Sequence, residues 1–373
     1  MKKKLIALVV GAAAVAPAAA MAADVTVYGR AHISVDYLDD GADYSETNLS
    51  SNSSRLGFKG SHQINSDLQA FFQIEQQINF TTGSSKGGSD FATRDTFVGL
   101  KGDNWGAIQA GRFDSPFKKA RGPANLFGDQ VGDMRNLTRI GDARFDERFD
   151  NTVQYTTPSF GGFNAVFAYS MYEGQSAAQD HDQDAFSVAL NYGNGPFTAA
   201  LAYESSEEDT GLGERDGIRL AAAYSLTDAF KVVGFYQSVE WDGVDTKYVA
   251  DANGDPTNVV DVAATAAATE RKRDDLTSDT FGIGGEYKLT DATALKAMWM
   301  TLDSDGEDYD ADMWVIGVEH KLDKAVRVYA NYAVVDNDDR QSLRPWKQAR
   351  TADPSAAAGE EASGFSVGLR YDF

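Results

Sequence analysis

Residues 364–373 read Gly364-Phe365-Ser366-Val367-Gly368-Leu369-Arg370-Tyr371-Asp372-Phe373, and their pattern decides the fold. In an extended chain Phe365, Val367, Leu369, Tyr371 and Phe373 share one side, and Ser366, Gly368, Arg370 and Asp372 share the other. Strict alternation is the mark of a half-buried strand. A segment of about ten residues with one wholly apolar face is long enough to cross a bilayer at a tilt. No domain is expected after it.

The same period runs upstream. Residues 25–37 set Val25, Val27, Ile33, Val35 and Tyr37 against Arg30, His32, Ser34 and Asp36. Residues 53–64 place Arg55 and Lys59 opposite Leu56 and Phe58, and residues 68–80 place Gln69, Gln73, Glu75 and Gln77 opposite Phe72, Ile74 and Ile78. Further stretches of this kind lie at 91–100, 106–112, 152–156, 163–171, 185–192, 197–204, 217–226, 230–241, 280–289, 293–302, 313–322 and 326–335. That makes about sixteen strands of membrane-crossing length. Tight turns rich in Gly, Asn and Asp (65–67, 102–104, 193–195, 227–228, 290–291, 323–324) alternate with long acidic connections (204–216, 242–276, 303–310, 336–361). Short turns on one side and long loops on the other are how a transmembrane barrel is strung. Tyr192, Tyr224, Tyr287, Trp314, Tyr371 and Phe373 sit at strand ends, where interfacial aromatics belong. A mean hydropathy of −0.38 does not oppose this, because lipid-facing and lumen-facing residues average out.

One connection breaks the rhythm. Residues 113–150 carry seven acids, seven bases and the apolar residues Phe113, Phe117, Leu126, Phe127, Met134 and Leu137. A connection of this length is either functional or disordered, and disordered tracts are poor in aromatics. It is therefore expected to be ordered and to pack inside the barrel.

The beginning of the chain indicates the compartment. Lys2-Lys3-Lys4, an apolar run and Ala20-Met21-Ala22 read as a secretory signal peptide over residues 1–22, with a barrel over 23–373. Removing three lysines and no acid takes the formal charge from −22 to −25, which argues against a nucleic-acid partner. There is no cysteine, so no disulfide framework.

At this point the chain resembles the trimeric general porins of Gram-negative outer membranes. The resemblance rests on Asp24-Val25-Thr26-Val27-Tyr28-Gly29-Arg30, Ser54-Arg55-Leu56-Gly57-Phe58-Lys59-Gly60, Thr93-Arg94 followed by Phe97-Val98-Gly99-Leu100-Lys101, Arg148-Phe149-Asp150-Asn151-Thr152-Val153-Gln154-Tyr155 leading to Pro158-Ser159-Phe160, and the final Tyr371-Asp372-Phe373. It implies an all-β fold: a 16-stranded antiparallel transmembrane β-barrel with an inward-folded third loop, here 113–150. It implies a constriction with basic wall residues Arg30, Arg55 and Arg94, and Arg139 as a fourth. Loop acids would face them: Asp129 and Asp133, with Asp114 third. It further implies a homotrimer in the outer membrane, in contact with lipid and lipopolysaccharide, inserted by machinery that reads Phe373, and passing small hydrophilic solutes. The second outer loop, 81–90, would reach the neighbouring subunit. No cofactor or metal site is implied.

A slot with cations on one wall and anions on the other orients the water inside it and favours polar solutes. The acidic loops are expected to make it weakly cation-selective, against the opposing arginines. A sugar- or phosphate-selective channel is an alternative, but the loop has no tryptophan and balances its charges. A structural or enzymatic barrel is another. His32, Ser34 and Asp36 share a face, yet i and i+2 neighbours on a strand stand about 7 Å apart, too far for a nucleophile–base hydrogen bond. No nucleophile elbow, a serine on a sharp strand-to-helix turn, supports a catalytic reading, so the protein is not expected to be an enzyme. Asp95 is read on the outward face of its strand, where a subunit interface would shelter it.

Overall fold

The computed structural model describes residues 24–83, 91–140, 146–171, 184–206, 214–242 and 273–373. The leader at 1–22 and most of the second outer loop lie outside these. The strands are β1 (Asp24–Asp39), β2 (Ser45–Ser51), β3 (Arg55–Asn65), β4 (Leu68–Gln77), β5 (Thr96–Gly102), β6 (Gly106–Asp114), β7 (Arg148–Thr156), β8 (Phe163–Ser170) and β9 (Ala185–Asn194). They continue as β10 (Phe197–Ser206), β11 (Glu214–Ser225), β12 (Phe230–Asp242), β13 (Ser278–Lys288), β14 (Thr293–Ser304), β15 (Ala311–Lys321), β16 (Val326–Asn337) and β17 (Ala362–Asp372).

From β3 onward each strand pairs antiparallel with the next, and β17 returns to β1 in a register running from Arg30 opposite Asp372 to Asp39 opposite Ser363. The sheet is closed. Both β2 and β3 pair with β1, β3 along Asp24–Arg30 and β2 along Ile33–Asp39. They are halves of one bent stave, so the barrel has sixteen staves. The bend falls at Ser53, where φ is +54°. There the Ser54 hydroxyl replaces the interrupted ladder, accepting from the His32 amide and donating to its carbonyl, both at 2.9 Å. Residues 45–51 carry a single large apolar residue, Leu49, so this half-stave has no alternation to read.

The faces are inverted relative to a soluble protein. On β17 the apolar Phe365, Val367, Leu369 and Tyr371 are 40–49% exposed, whereas Ser366 is fully buried. Outward rings form a band beside the short turns, with Tyr192 4.4 Å from Phe163 and 5.8 Å from Phe197, and Phe197 6.4 Å from Tyr224. A second group, Phe281, Trp299 and Trp314, lies towards the long loops. These are the two interfacial girdles of a spanning barrel.

Asp95 is a correction. Val98 and Leu100 are the exposed apolar residues of β5, so the opposite phase faces inward. Asp95 accepts a hydrogen bond from Arg148 at 2.6 Å, and the side chain needs no interface to shelter it.

Residues 113–150 pack against inward-facing side chains. A short helix α1 (Pro116–Ala120) is capped by Ser115, whose hydroxyl accepts from the Lys118 amide. A second, α2, spans Arg135–Thr138. Phe117, Phe127, Val131, Met134 and Leu137 are buried. The Phe117 amide donates to Ser187 on β9 at 3.0 Å, Gln237 on β12 donates to the Thr138 carbonyl at 2.7 Å, and Asn331 on β16 donates to Gln130 at 2.7 Å. These partners belong to strands spread around half the wall, all on the inner face. Residues 338–361, part of a connection that the sequence shows only as long and acidic, also turn inward: Trp346 is fully buried.

Several inward glycines lie under aromatic rings of the adjacent strand. A Cβ at Gly57 would stand 2.4 Å from Tyr28, one at Gly282 2.2 Å from Phe235, and one at Gly368 2.2 Å from Tyr329. Replacing Gly368 by Val is expected to expel the Tyr329 ring and cost about 1–3 kcal/mol, as overpacking does. A lower unfolding temperature of the purified protein in detergent would register it, and an unchanged one would refute the close packing.

Candidate pore constriction

Asp129 is the residue on which the loop meets the wall. Its φ is +63°, a left-handed conformation that Asp tolerates better than most residues. Its amide donates to Asp133 at 2.7 Å. The carboxylate accepts from Arg30 on β1 at 3.1 Å and from Arg135 of its own loop at 3.0 Å, and lies 3.8 Å from Arg55 on β3. Burial pushes the carboxyl upward, but Arg135, Arg55 and Arg30 outweigh it and hold it well below the ordinary carboxylate range. With a depressed folded value, this contribution to stability is complete above about 3.8 and is lost only as pH falls through the depressed value.

Asp133 is differently placed from the expectation. Its side chain has no exposed surface and binds the Arg135 amide and guanidinium and the Asp129 amide. It staples the loop and touches no solute path. Asp114 pairs with Lys118 at 2.9 Å and Arg148 at 3.1 Å. Arg139 pairs with Glu147 within the loop, apart from the other three arginines. Arg94 is buried against Glu75, which also lies 3.6 Å from Arg55 and accepts from Tyr28 at 3.0 Å.

The loop's far end is fixed by charge. Arg219 on β11 and Asp146 are both fully buried and joined by two hydrogen bonds of 2.7 and 2.8 Å. The guanidinium also donates to the Phe117 carbonyl and lies 4.2 Å from the centre of the Phe117 ring. Burial raises the Asp146 carboxyl, but Arg219 and Arg121 outweigh it and keep it far below the usual range.

The wall charges extend beyond the three expected arginines. Lys231 on β12 lies 3.3 Å from Glu286 on β13, which is 4.0 Å from Lys296 on β14. Lys296 is 2.9 Å from Glu319 on β15, and Glu319 is 3.6 Å from Arg327 on β16. Arg327, Arg370 and Arg30 converge on Asp372 at 3.6, 2.8 and 2.8 Å. With Asp129, Arg55, Glu75 and Arg94 this is one continuous belt of alternating charge across β12–β17, β1, β3 and β4. Sequence reasoning missed its β12–β16 part. The signal was present: the frames AFKV, ALKA and AVRV just after short turns, and GEYK and VEHK just before them, place Lys231, Lys296, Arg327, Glu286 and Glu319 in the inward phase of their strands.

His32, Ser34 and Asp36 do not make a triad. Ser34 donates to Asp36 at 3.2 Å, while His32 Nε2 is 2.8 Å from the Tyr329 hydroxyl. Among the described residues no group of three or more His, Asp or Glu is set to hold a metal.

A closed sixteen-stave barrel with a loop bridging its lumen matches a known family. A family model described as Gram-negative porin matches residues 7–340. The chain belongs to the Gram-negative porin family. It is 32% identical to outer membrane porin protein 32 of Delftia acidovorans over 79% of this chain and 88% of that one. A solved structure of an anion-selective porin from Comamonas acidovorans shares 25% identity with a TM-score of 0.75, covering 94% of this chain and all of the other. The trimer form of OmpT, an outer membrane protein of Vibrio cholerae, has the same fold at 18% identity and a TM-score of 0.65, over 94% and 100% of the two chains. As a porin, the protein resides in the outer membrane of a Gram-negative bacterium.

Two substitutions test this geometry. Arg219→Ala leaves the buried Asp146 with Arg121 at 3.0 Å as its remaining guanidinium partner, and is expected to destabilise the loop by about 1.5–3 kcal/mol, the worth of a hydrogen bond to a charged group, read as faster proteolysis within 113–150 with the barrel intact. Asp129→Asn removes the anion shared by Arg30, Arg55 and Arg135, and is expected to move the reversal potential in a salt gradient towards anions. An unmoved potential would mean that Asp129 does not face the conducting path.

Proposed function

We propose that the protein is a passive diffusion channel for small hydrophilic solutes and ions, in which residues 113–150 narrow a barrel formed by 23–373 after removal of the leader. The observation that carries this is the contact of Asp129 with Arg30 and Arg55, together with the Asp146–Arg219 anchor on the far wall. A loop tied at both ends across a lumen divides it and leaves a slot edged by charge. Arg30, Arg55 and Asp129 each keep about a sixth of their side-chain surface open to water. They act on a passing solute as fixed dipoles in a low-dielectric wall. Arg94 and Asp114 support them through Glu75 and Arg148. No covalent step is involved.

The sign of ion selectivity pits two charge sets against each other. The net charge, −25 once the three leader lysines are removed from −22, and acids such as Asp303, Asp305, Glu307 and Asp308 favour cations at the outer mouth. In the narrow zone the belt counts seven bases (Lys231, Lys296, Arg327, Arg370, Arg30, Arg55, Arg94) against five acids (Glu286, Glu319, Asp372, Asp129, Glu75). Fields are least screened where water is scarce, so the belt outweighs the loops. This favours a weak preference for anions over the weak cation preference that total charge suggests. The description of the Comamonas relative as anion-selective supports the same side.

The assembly is a homotrimer in contact with outer-membrane lipid and lipopolysaccharide, and Phe373 is the recognition point for barrel insertion. The trimer form of the Vibrio structure supports the first. An outward-facing Phe373 whose backbone pairs with Gly29 supports the second, because it closes the seam.

Single-channel recording in a planar bilayer tests the whole reading. Ohmic steps in groups of three, a small reversal potential of the anionic sign and no block by sugars are expected. A cationic sign would restore the outer loops as the selectivity element, block by one solute would indicate a selective channel, and absence of steps from folded protein would end the pore reading.

A further inference from the structure

The inner face of β4 and β5 carries apolar rings where the belt carries charge. Phe71 on β4 and Phe97 on β5 point inward, in phase with Gln73 and Gly99, and are only half-buried. Their rings meet edge to face, with centres 6.0 Å apart and planes at 72°. Phe97 in turn meets the buried Phe113 at 5.8 Å and 88°, which fixes it from behind. Phe71 is seated over Gly99, where a Cβ would stand 2.5 Å from its ring. Packing accounts for that seat, but not for the charges around it.

Lysine heads stand over these rings and their neighbour. Lys101 Nζ is 6.0 Å from the centre of Phe71, Lys119 Nζ is 5.8 Å from that of Phe113, and Lys59 Nζ is 5.0 Å from that of Tyr28. All three lysines are exposed, and none of them forms an ion pair among the described residues. Every base of the belt, by contrast, has an acid within 3.6 Å.

A cavity of 340 Å³ opens between these groups, lined by Thr26, Lys59, Phe71, Gln73 and Phe97, with Asp24 as its one acid. Register sets which charge a bound ring would meet. Lys59 lies on the strand beside Phe71, one inward position along, opposite Gln73. Asp24 lies two strands from Phe71, on β1 opposite Ser61. Lys59 and Phe71 each stand four residues from the belt, from Arg55 and Glu75, which is about 13 Å towards the short turns.

The chemistry sets the class of ligand. A flat ring extends an edge-to-face pair, and an unpaired ammonium beside it selects an anion. The volume is at the small end for ligand pockets and suits a one-ring solute. We propose that this cavity binds aromatic carboxylates, the solute ring lying against Phe71 and Phe97 and its carboxylate on Lys59, with Lys101 drawing the anion in from the short-turn mouth. The inference rests on the diffusion-channel reading and adds a solute class to it. The site retains such solutes briefly beside the belt and leaves the path open to ions.

Benzoate is the probe, titrated against the folded protein in detergent and read by saturation-transfer NMR. Acetate, which has no ring, and benzyl alcohol, which has no charge, are the controls. Saturable binding of benzoate is expected, about fivefold tighter or more than either control. Phe71→Leu keeps an apolar side chain over Gly99, and Lys59→Gln keeps a polar one in the lumen. Each is expected to weaken benzoate about fivefold, and Phe71→Leu to leave single-channel steps in potassium chloride at the wild-type size. Benzoate binding no tighter than the controls, or unchanged in either variant, would overturn the proposal. Should Phe71→Leu fail to fold, Lys59→Gln, at an exposed side chain, decides alone. A wild type that binds benzoate with these losses but gives no steps would defeat the diffusion reading and leave the site standing.

Discussion

A bilayer offers no water to a backbone amide, and everything else in this protein follows from that. Strands can cross only if every N–H and C=O is paired, so the sheet has to close, and β17 meets β1 to close it. Closure creates two surfaces of opposite chemistry on one chain. The outer one takes the Val, Leu, Ile and aromatic residues that a soluble protein would bury. The inner one collects Ser, Gln, Arg and Glu. Where the ladder is interrupted, at the bend between β2 and β3, the Ser54 hydroxyl bridges to both the amide and the carbonyl of His32, beside the Asn52 amide that donates to the same carbonyl.

The lumen then poses the opposite problem. It is wet, and a segment of apolar and charged residues entering it must find partners for both. The third loop buries its phenylalanines against inward-facing wall residues and pairs its acids with arginines. Asp146 takes Arg219, Asp133 takes Arg135, and Asp129 is shared between loop and wall. Most of the loop's acids are therefore structural. Among the described acids of the loop, only Asp129 combines contact with the opposite wall and access to water, which is why the count of acids in 113–150 says little about selectivity.

Much of this was legible in the sequence, for a physical reason. The period of two follows directly from strand geometry, so sixteen stretches could be counted and Arg30 and Arg55 placed on the inner face. Asp95 was misread because Phe97 looks like a lipid-facing residue, whereas the outward positions of β5 are Val98 and Leu100. The role of Asp133 was hidden because loop acids of identical type differ only in their three-dimensional neighbours. The belt was visible strand by strand, but its continuity depends on register, which juxtaposes Glu286 with Lys231 and Lys296 from different hairpins. The inward turn of 338–361 left no periodic trace, since neither Trp346 nor Arg350 lies in a strand.

The glycine–aromatic pairs bear on a property of the whole cylinder. For a given number of staves, the radius of a barrel is set by its shear, the total stagger accumulated around one circuit. Each ring seated over a glycine, Tyr28 on Gly57, Phe235 on Gly282, Tyr329 on Gly368, is a key that fits one offset between neighbouring strands and collides at the next. Such keys at separate points of the circuit hold that sum constant. The bore of the channel is thus written partly in residues that carry no charge.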